Sequence, residues 1–407
     1  MLTALRGVRY PVETVLLLVL CFFLPLFEFP KNVAFLAYAI TWAVNRMRSR
    51  DFGGRWDLWD TLIVLWLASG YLVAAFAGLH GNEWIGARDL HRYATVLWLA
   101  KRGGYSPREI RWMLGTLVAS TAIGLAYGYW RMWSGEGKSG MLQLHSVGQV
   151  NHTAIYLAIV LGICASWVFT RWNAWRLGTR AVGIALSAFL VVSLVVTESR
   201  AAIGVGLVML PALAIFWWRR RRAPLIASVI AVSIVVIASA LIGVEVFQKQ
   251  QRDVAHENTL AFRDGVWRMG LAAWERFPIF GVGMDNYSLI TQGRVKEWRT
   301  QAGRNYRAAD YVQFPHGHSI YVNTLAERGV VGFAIFAAVL VAWLLRLGRF
   351  RPKPQDADLD WILWGAAAGA WFVTAAAGSV NTTLHDEHGI LAVLLLGLWL
   401  SRRKAAS

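Results

Sequence analysis

The chain has 407 residues, 57% of them hydrophobic and 16% charged, with 41 Lys and Arg against 24 Asp and Glu for a formal charge of +17. Apolar runs of bilayer length recur from end to end, which excludes a soluble domain and reads as an all-α integral membrane protein. The basic residues are spread over several loops and line no single face, so nucleic acid is excluded as a partner, and the charge signals topology and attraction to anionic membrane lipids.

Twelve stretches read as transmembrane helices: 12–29, 32–45, 60–79, 90–100, 112–130, 151–169, 181–197, 201–218, 224–246, 319–345, 361–380 and 389–401. The second and fourth are short. The first is too long for a removed signal peptide and lacks a small-residue cleavage site. Alternate loops hold the cations, among them Arg46, Arg48, Arg50 and Arg55, then Lys101, Arg102, Arg108 and Arg111, then Arg219 to Arg222, then Arg346, Arg349, Arg351 and Lys353. The positive-inside rule then puts both termini in the cytoplasm and residues 248–317 outside it. The expected organisation is nine helices over 1–247, a long external loop with short helices over 248–317, and three helices with a short tail over 318–407.

Thr197-Glu198-Ser199-Arg200 forms a tight turn between two apolar runs, on the same outer side as the long loop. A charge at membrane depth costs roughly 2.5–3.5 kcal/mol on insertion scales, so such residues pair or serve a pathway. In the long loop, Arg263 to Phe277 has helical spacing, with Phe262, Val266, Met269, Ala273 and Phe277 on one side and Arg263 and Arg268 on another. Pro278 ends that helix and Gly281-Val282-Gly283 follows as a turn. Arg294, Lys296, Arg299, Arg304 and Arg307 come next, interleaved with Tyr287, Trp298, Tyr306 and Tyr311. Long loops cross a membrane regardless of charge, so these cations point to an anionic ligand, and the aromatics to sugars or to the interface.

The loop closes on Phe314-Pro315-His316-Gly317-His318-Ser319. Two imidazoles, which trade protons near neutral pH, sit where the chain re-enters the membrane. Ser319 is placed to cap the tenth helix. Gly329 and Gly332 are the small residues that permit close helix packing. Cys21 and Cys164 lie inside apolar stretches and give neither a disulfide framework nor a metal spacing. No phosphate-binding glycine loop or dinucleotide fingerprint is present, which excludes a pump driven by ATP.

Three patterns in this order resemble the O-antigen ligase family. They are Ser199-Arg200 after the seventh stretch; Arg263 and Trp267 followed by Pro278, Gly281 and Gly283; and His318-Ser319, nine residues, then Gly329 and Gly332. The resemblance implies a GT-C-like fold in the bacterial inner (cytoplasmic) membrane, its active site facing the periplasm. It implies transfer of a polysaccharide from undecaprenyl diphosphate to the lipid A–core oligosaccharide. Arg200, Arg263 and Arg268 are then the candidates for holding the departing diphosphate, because guanidinium forks bind its oxygens bidentately. His318 is the candidate general base for the acceptor hydroxyl, with His316 orienting it or touching phosphate. Direct attack inverts the anomeric centre, and no metal or other cofactor is expected.

Two acidic clusters compete as metal sites. Asp356-Ala357-Asp358 falls in a cytoplasmic loop and reads better as acidic residues favoured by the dipole of the eleventh helix. His385-Asp386-Glu387-His388 falls in the last outer loop, where adjacent ligands on one turn rarely converge, and lining the acceptor entrance is its alternative reading. An O-antigen polymerase and a protein O-oligosaccharyltransferase use the same donor and stay open as alternatives. A transporter of anionic lipid or solute needs charge through the membrane thickness, whereas here it gathers on one side.

Overall fold

In the computed structural model, residues 7–135, 141–218, 222–242 and 262–404 are described. All regular structure among them is helical. The helices are α1 (Pro11–Phe23), α2 (Glu28–Ser49), α3 (Leu58–Ala75), α4 (Glu83–Arg102), α5 (Pro107–Trp133), α6 (Val150–Arg171), α7 (Leu177–Val196), α8 (Arg200–Trp217), α9 (Ala223–Ile242), α10 (Arg263–Arg276), α11 (Gln292–Gln301), α12 (Ile320–Arg349), α13 (Asp358–Ala377) and α14 (Asp386–Lys404). A helix lies on each of the twelve apolar stretches. Seven of them, α3, α5, α6, α7, α8, α12 and α13, are long and apolar enough to cross a membrane, which makes this a multi-pass helical membrane protein. Residues 243–261, with the first part of the expected loop, and Arg219 to Arg221 lie outside the described residues.

α6 sits at the centre. It is apolar on all sides and almost wholly buried, as expected of a helix without a polar face. It packs on α7, α8, α13 and α14. Gly162 faces Gly369 of α13, where an added Cβ would lie 3.4 Å from the opposing Cα, so the two backbones approach closely.

Several cations read from sequence as loop signals are buried in ion pairs instead. Arg46 binds Glu13 at 3.1 Å, Lys101 binds Asp60 at 2.7 Å, and Arg102 binds Asp60 at 2.5 Å. Each pair spans two helices, so breaking one side would strand a buried charge. α2 and α4 consequently begin and end with charge and run longer than the apolar stretches 32–45 and 90–100.

The structure corrects the reading of the glycines in the third motif. α12 is broken at Gly329, which has φ 57° and ψ −164°. The segment after α10 lies along the break. Val282 and Gly283 donate to the Ala326 and Glu327 carbonyls, and Val330 and Val331 donate to those of Pro278 and Ile279. A Cβ at Gly329 would fall 2.3 Å from the Ile279 oxygen, and one at Gly281 would fall 2.4 Å from the Glu327 carbonyl carbon. Gly332 makes room for the Arg328 side chain of its own helix, not for a neighbouring helix. Gly329→Ala is therefore expected to lower the melting temperature in detergent through roughly 1–3 kcal/mol of backbone strain and displacement of the Pro278–Gly281 segment. Gly348→Ala, where a Cβ meets nothing within 4 Å, serves as the comparison and should match or exceed the parent.

Candidate active site

Five segments meet at the end of the bundle that carries α10 and α11. They are the start of α6, the α7–α8 turn, the start of α10, the turn into α12, and the α13–α14 loop. Ser199 Oγ donates to Asn151 Oδ1 at 2.7 Å, tying the α7–α8 turn to α6. Arg200 opens α8 directly after it. Arg263 opens α10, and its Nε donates to the Val380 carbonyl at 3.0 Å. The Ile320 N–H donates to the Gly378 and Asn381 carbonyls at 2.8 and 3.1 Å. The 378–381 loop thus holds Arg263 against the mouth of α12.

The His316-Gly317-His318 turn is built from below. Ser319 caps α12, its side chain accepting from the Val322 N–H. Gly317 N–H donates to Asn323 Oδ1 at 2.8 Å, and Asn323 Nδ2 donates to Glu327 Oε2 at 2.8 Å. Glu327 also accepts the Tyr287 N–H at 3.2 Å, while the Tyr287 hydroxyl donates to the Val266 carbonyl of α10 at 2.6 Å. His318 has φ 45°, a conformation that short polar residues and His enter more readily than others. The His316 and His318 ring centroids are 4.4 Å apart, and Phe314 packs edge-on against His318.

Both imidazoles are partly buried. The His318 pKa is lowered to about 4, chiefly by burial, then by His316, Arg263 and His152. His316 is also lowered to about 4, by burial and then by His152 and His385. Both rings are therefore neutral at physiological pH. Arg263 is held below its usual value by burial and then by the charge of Arg200. Arg263 thus lies within reach of both the His318 ring and the charge of Arg200.

Arg268 points elsewhere. It is half exposed and pairs with Asp310 at 3.3 Å. Three further loop cations are engaged within the loop: Arg299 and Arg304 both bind Glu275, and Arg294 donates to the Leu289 carbonyl. The aromatics form a small core beneath them, Tyr306 stacked on Tyr311 and Trp298 edge-on to Phe277. Phe262 departs from the expected apolar side and is exposed, because a left-handed residue precedes α10 there.

Sequence reasoning missed His152. It sits at the start of α6 and completes a cluster with His385 and Asp386, whose ligand atoms all lie within 4.8 Å of one another. Asp386 Oδ2 is 3.2 Å from His152 Nδ1 and 2.8 Å from His385 Nδ1. Among the described residues this is the group that could hold a metal ion. Glu387 turns away to pair with Lys31 and accept from Ser146. The signal was available: Asn151-His152 opens its apolar stretch as His318-Ser319 opens another. Asp358 of the other acidic cluster pairs with Arg171 at 2.8 Å and opens α13.

A helical membrane bundle with arginines and two neutral imidazoles gathered at one mouth defines the class of protein. Residues 184–337 match the family described as O-antigen ligase, a segment that includes Arg200, Arg263, Arg268, His316 and His318. That segment is similar to a family of glycosyltransferase-like enzymes that work on lipid-linked glycans. A search of curated proteins gave no match.

Proposed function

We propose that this chain is an O-antigen ligase of the bacterial inner membrane, with twelve membrane-spanning helices in a GT-C-like arrangement and both termini in the cytoplasm. It moves a polysaccharide from undecaprenyl diphosphate to the lipid A–core oligosaccharide on the periplasmic face. The observation that carries this reading is the juxtaposition of a neutral imidazole, His318, with Arg263 and, beside that, Arg200. The two arginines hold the diphosphate and stabilise the charge that grows on it as the glycosidic bond breaks. His318 takes the proton of the attacking acceptor hydroxyl. Attack from the face opposite the diphosphate inverts the anomeric centre. His316 sets the position of the His318 ring. Arg268, held by Asp310, contributes less.

The lowered pKa of His318 fixes the pH dependence. A base works only while unprotonated, so activity is lost as pH falls through its pKa. Transfer in membranes should stay level from about pH 8 to 6 and fall below about 5, following the value near 4 and not the ordinary 6.5. A fall centred near 6.5 would mean that another group is the base.

Metal independence is also proposed, because arginines already neutralise the leaving diphosphate. Transfer should persist in excess chelator with purified protein. Activity lost to chelator and restored by one divalent ion would give the His152, His385 and Asp386 cluster the central role instead.

A further inference from the structure

Beside His316 lies a cleft made of two cavities of about 120 and 370 Å³, both lined by Asp285, Pro315, His316, Thr382 and His385. One reaches inward to Trp66, Glu327 and Arg328, the other outward to His152 and Glu28. Together they reach the size of small-molecule sites, roughly 300–1,000 Å³. The charge of this cleft is opposite to that of the arginine side. Its carboxylates are Glu28, Asp89, Asp285, Glu327, Asp386 and Glu387, against one guanidinium, Arg328, and the imidazoles of His152, His316 and His385.

Most of these groups are committed. Asp89 pairs with Arg92 and Arg88, Glu387 with Lys31, Asp386 with two imidazoles, and Arg328 donates to Ser69 Oγ at 2.6 Å. The Asp285 carboxylate makes no hydrogen bond or ion pair among the described residues, and it is exposed to the cleft. Its position is nonetheless fixed. Asp285 has φ 60°. Next to it, Asn286 donates to the Leu79 carbonyl and to Glu83, and accepts from the Asn82 N–H. A Cβ at Gly86 would lie 2.5 Å from Met284 Cβ, so α4 is shaped to admit this turn. Burial raises the Asp285 carboxyl above its usual range, opposed by His385 and reinforced by Asp89 and Asp386.

We propose that this cleft binds the acceptor sugar, that Asp285 accepts hydrogen bonds from its hydroxyls, and that the surrounding carboxylates select a neutral or amino sugar over a phosphorylated or uronic one. An ionised carboxylate is an acceptor only, with room for two hydroxyl donors, and such charge-assisted bonds are the strong ones. A sugar held there lies beside His316, whose ring is 4.4 Å from that of His318, in a cleft that neither Arg200 nor Arg263 lines. The same carboxylates repel the donor's diphosphate, which keeps the two substrates on their own sides. The inference rests on the transferase reading, and its test separates the two.

The test uses the full chain in nanodiscs and saturation-transfer NMR with three probes: methyl glucopyranoside, its 2-amino-2-deoxy analogue and its 6-phosphate. The first two should bind and the phosphate should not. Asp285→Asn should weaken the neutral sugar about tenfold, near 1.4 kcal/mol, and admit the phosphate, while donor binding stays unchanged as evidence of an intact fold. In the transfer assay the same substitution should raise the acceptor KM about tenfold and leave the donor KM alone. Equal binding of the phosphate by the parent protein, no binding of any probe, or an indifferent Asp285→Asn would overturn the inference. Sugar binding without any transfer would instead overturn the transferase reading and leave the cleft standing.

Discussion

His318→Ala is expected to lower glycan transfer by roughly 10²–10⁴-fold, the range typical of losing a positioned general base. The backbone at 318 is in the left-handed region, where Ala is strained, so His318→Asn is the better-tolerated companion. Asn keeps the turn, the Ser319 cap and the Gly317 bond to Asn323, and removes only the basic nitrogen. Both variants should insert at parental levels and bind the lipid-linked donor. Transfer is read in membranes normalised for protein. Near-parental rates in His318→Asn would eliminate the general-base role and shift attention to His316, whose ring is 4.4 Å away and equally neutral. His316→Ala should show a smaller loss, since it acts through the position of His318.

The second large effect belongs to the arginines. Arg200→Ala and Arg263→Ala should each cost about 10²–10³-fold, as for a donor aimed at charge developing in the transition state. Lys should restore only part of this. It keeps the charge but loses the planar fork, and at Arg263 it also loses the Nε that donates to Val380. Arg268 should tolerate Lys well, because its partner is Asp310 and half of its side chain faces solvent. Arg304 should tolerate Lys better still, as an exposed pair contributes about 0–1 kcal/mol, and so should Arg294, whose bond is to the neutral Leu289 carbonyl. Single-turnover transfer and donor binding on all five positions distinguish these cases. A uniform response would mean a diffuse basic surface with no formed diphosphate site.

The helices were legible because bilayer-length apolar runs leave the backbone no other structure. The mouth of α12 was legible because a His pair and a capping Ser at a re-entry point are local features. Long-range pairing was not. Nothing in the sequence shows that Arg46, Lys101 and Arg102 find carboxylates on other helices, since each partner is 33 to 42 residues away. The different surroundings of Arg263 and Arg268 were not legible either. They are five residues apart on one helix, and the difference lies in what each meets: the Val380 carbonyl for one, Asp310 for the other. Gly329 was noticed but misread, because a glycine that breaks a helix and one that packs against a neighbour look alike in sequence. His152 and Asp285 come from segments more than 100 residues apart, and only folding places both beside His316.

The most direct measurement incubates the purified chain with undecaprenyl-diphosphate-linked glycan and lipid A–core in chelator. The product and the configuration of its new glycosidic bond are then determined by NMR. The expected product is glycan on the core oligosaccharide, with the anomeric configuration inverted relative to the donor. Elongation of one lipid-linked glycan by another with the core untouched, or a retained configuration, would contradict it.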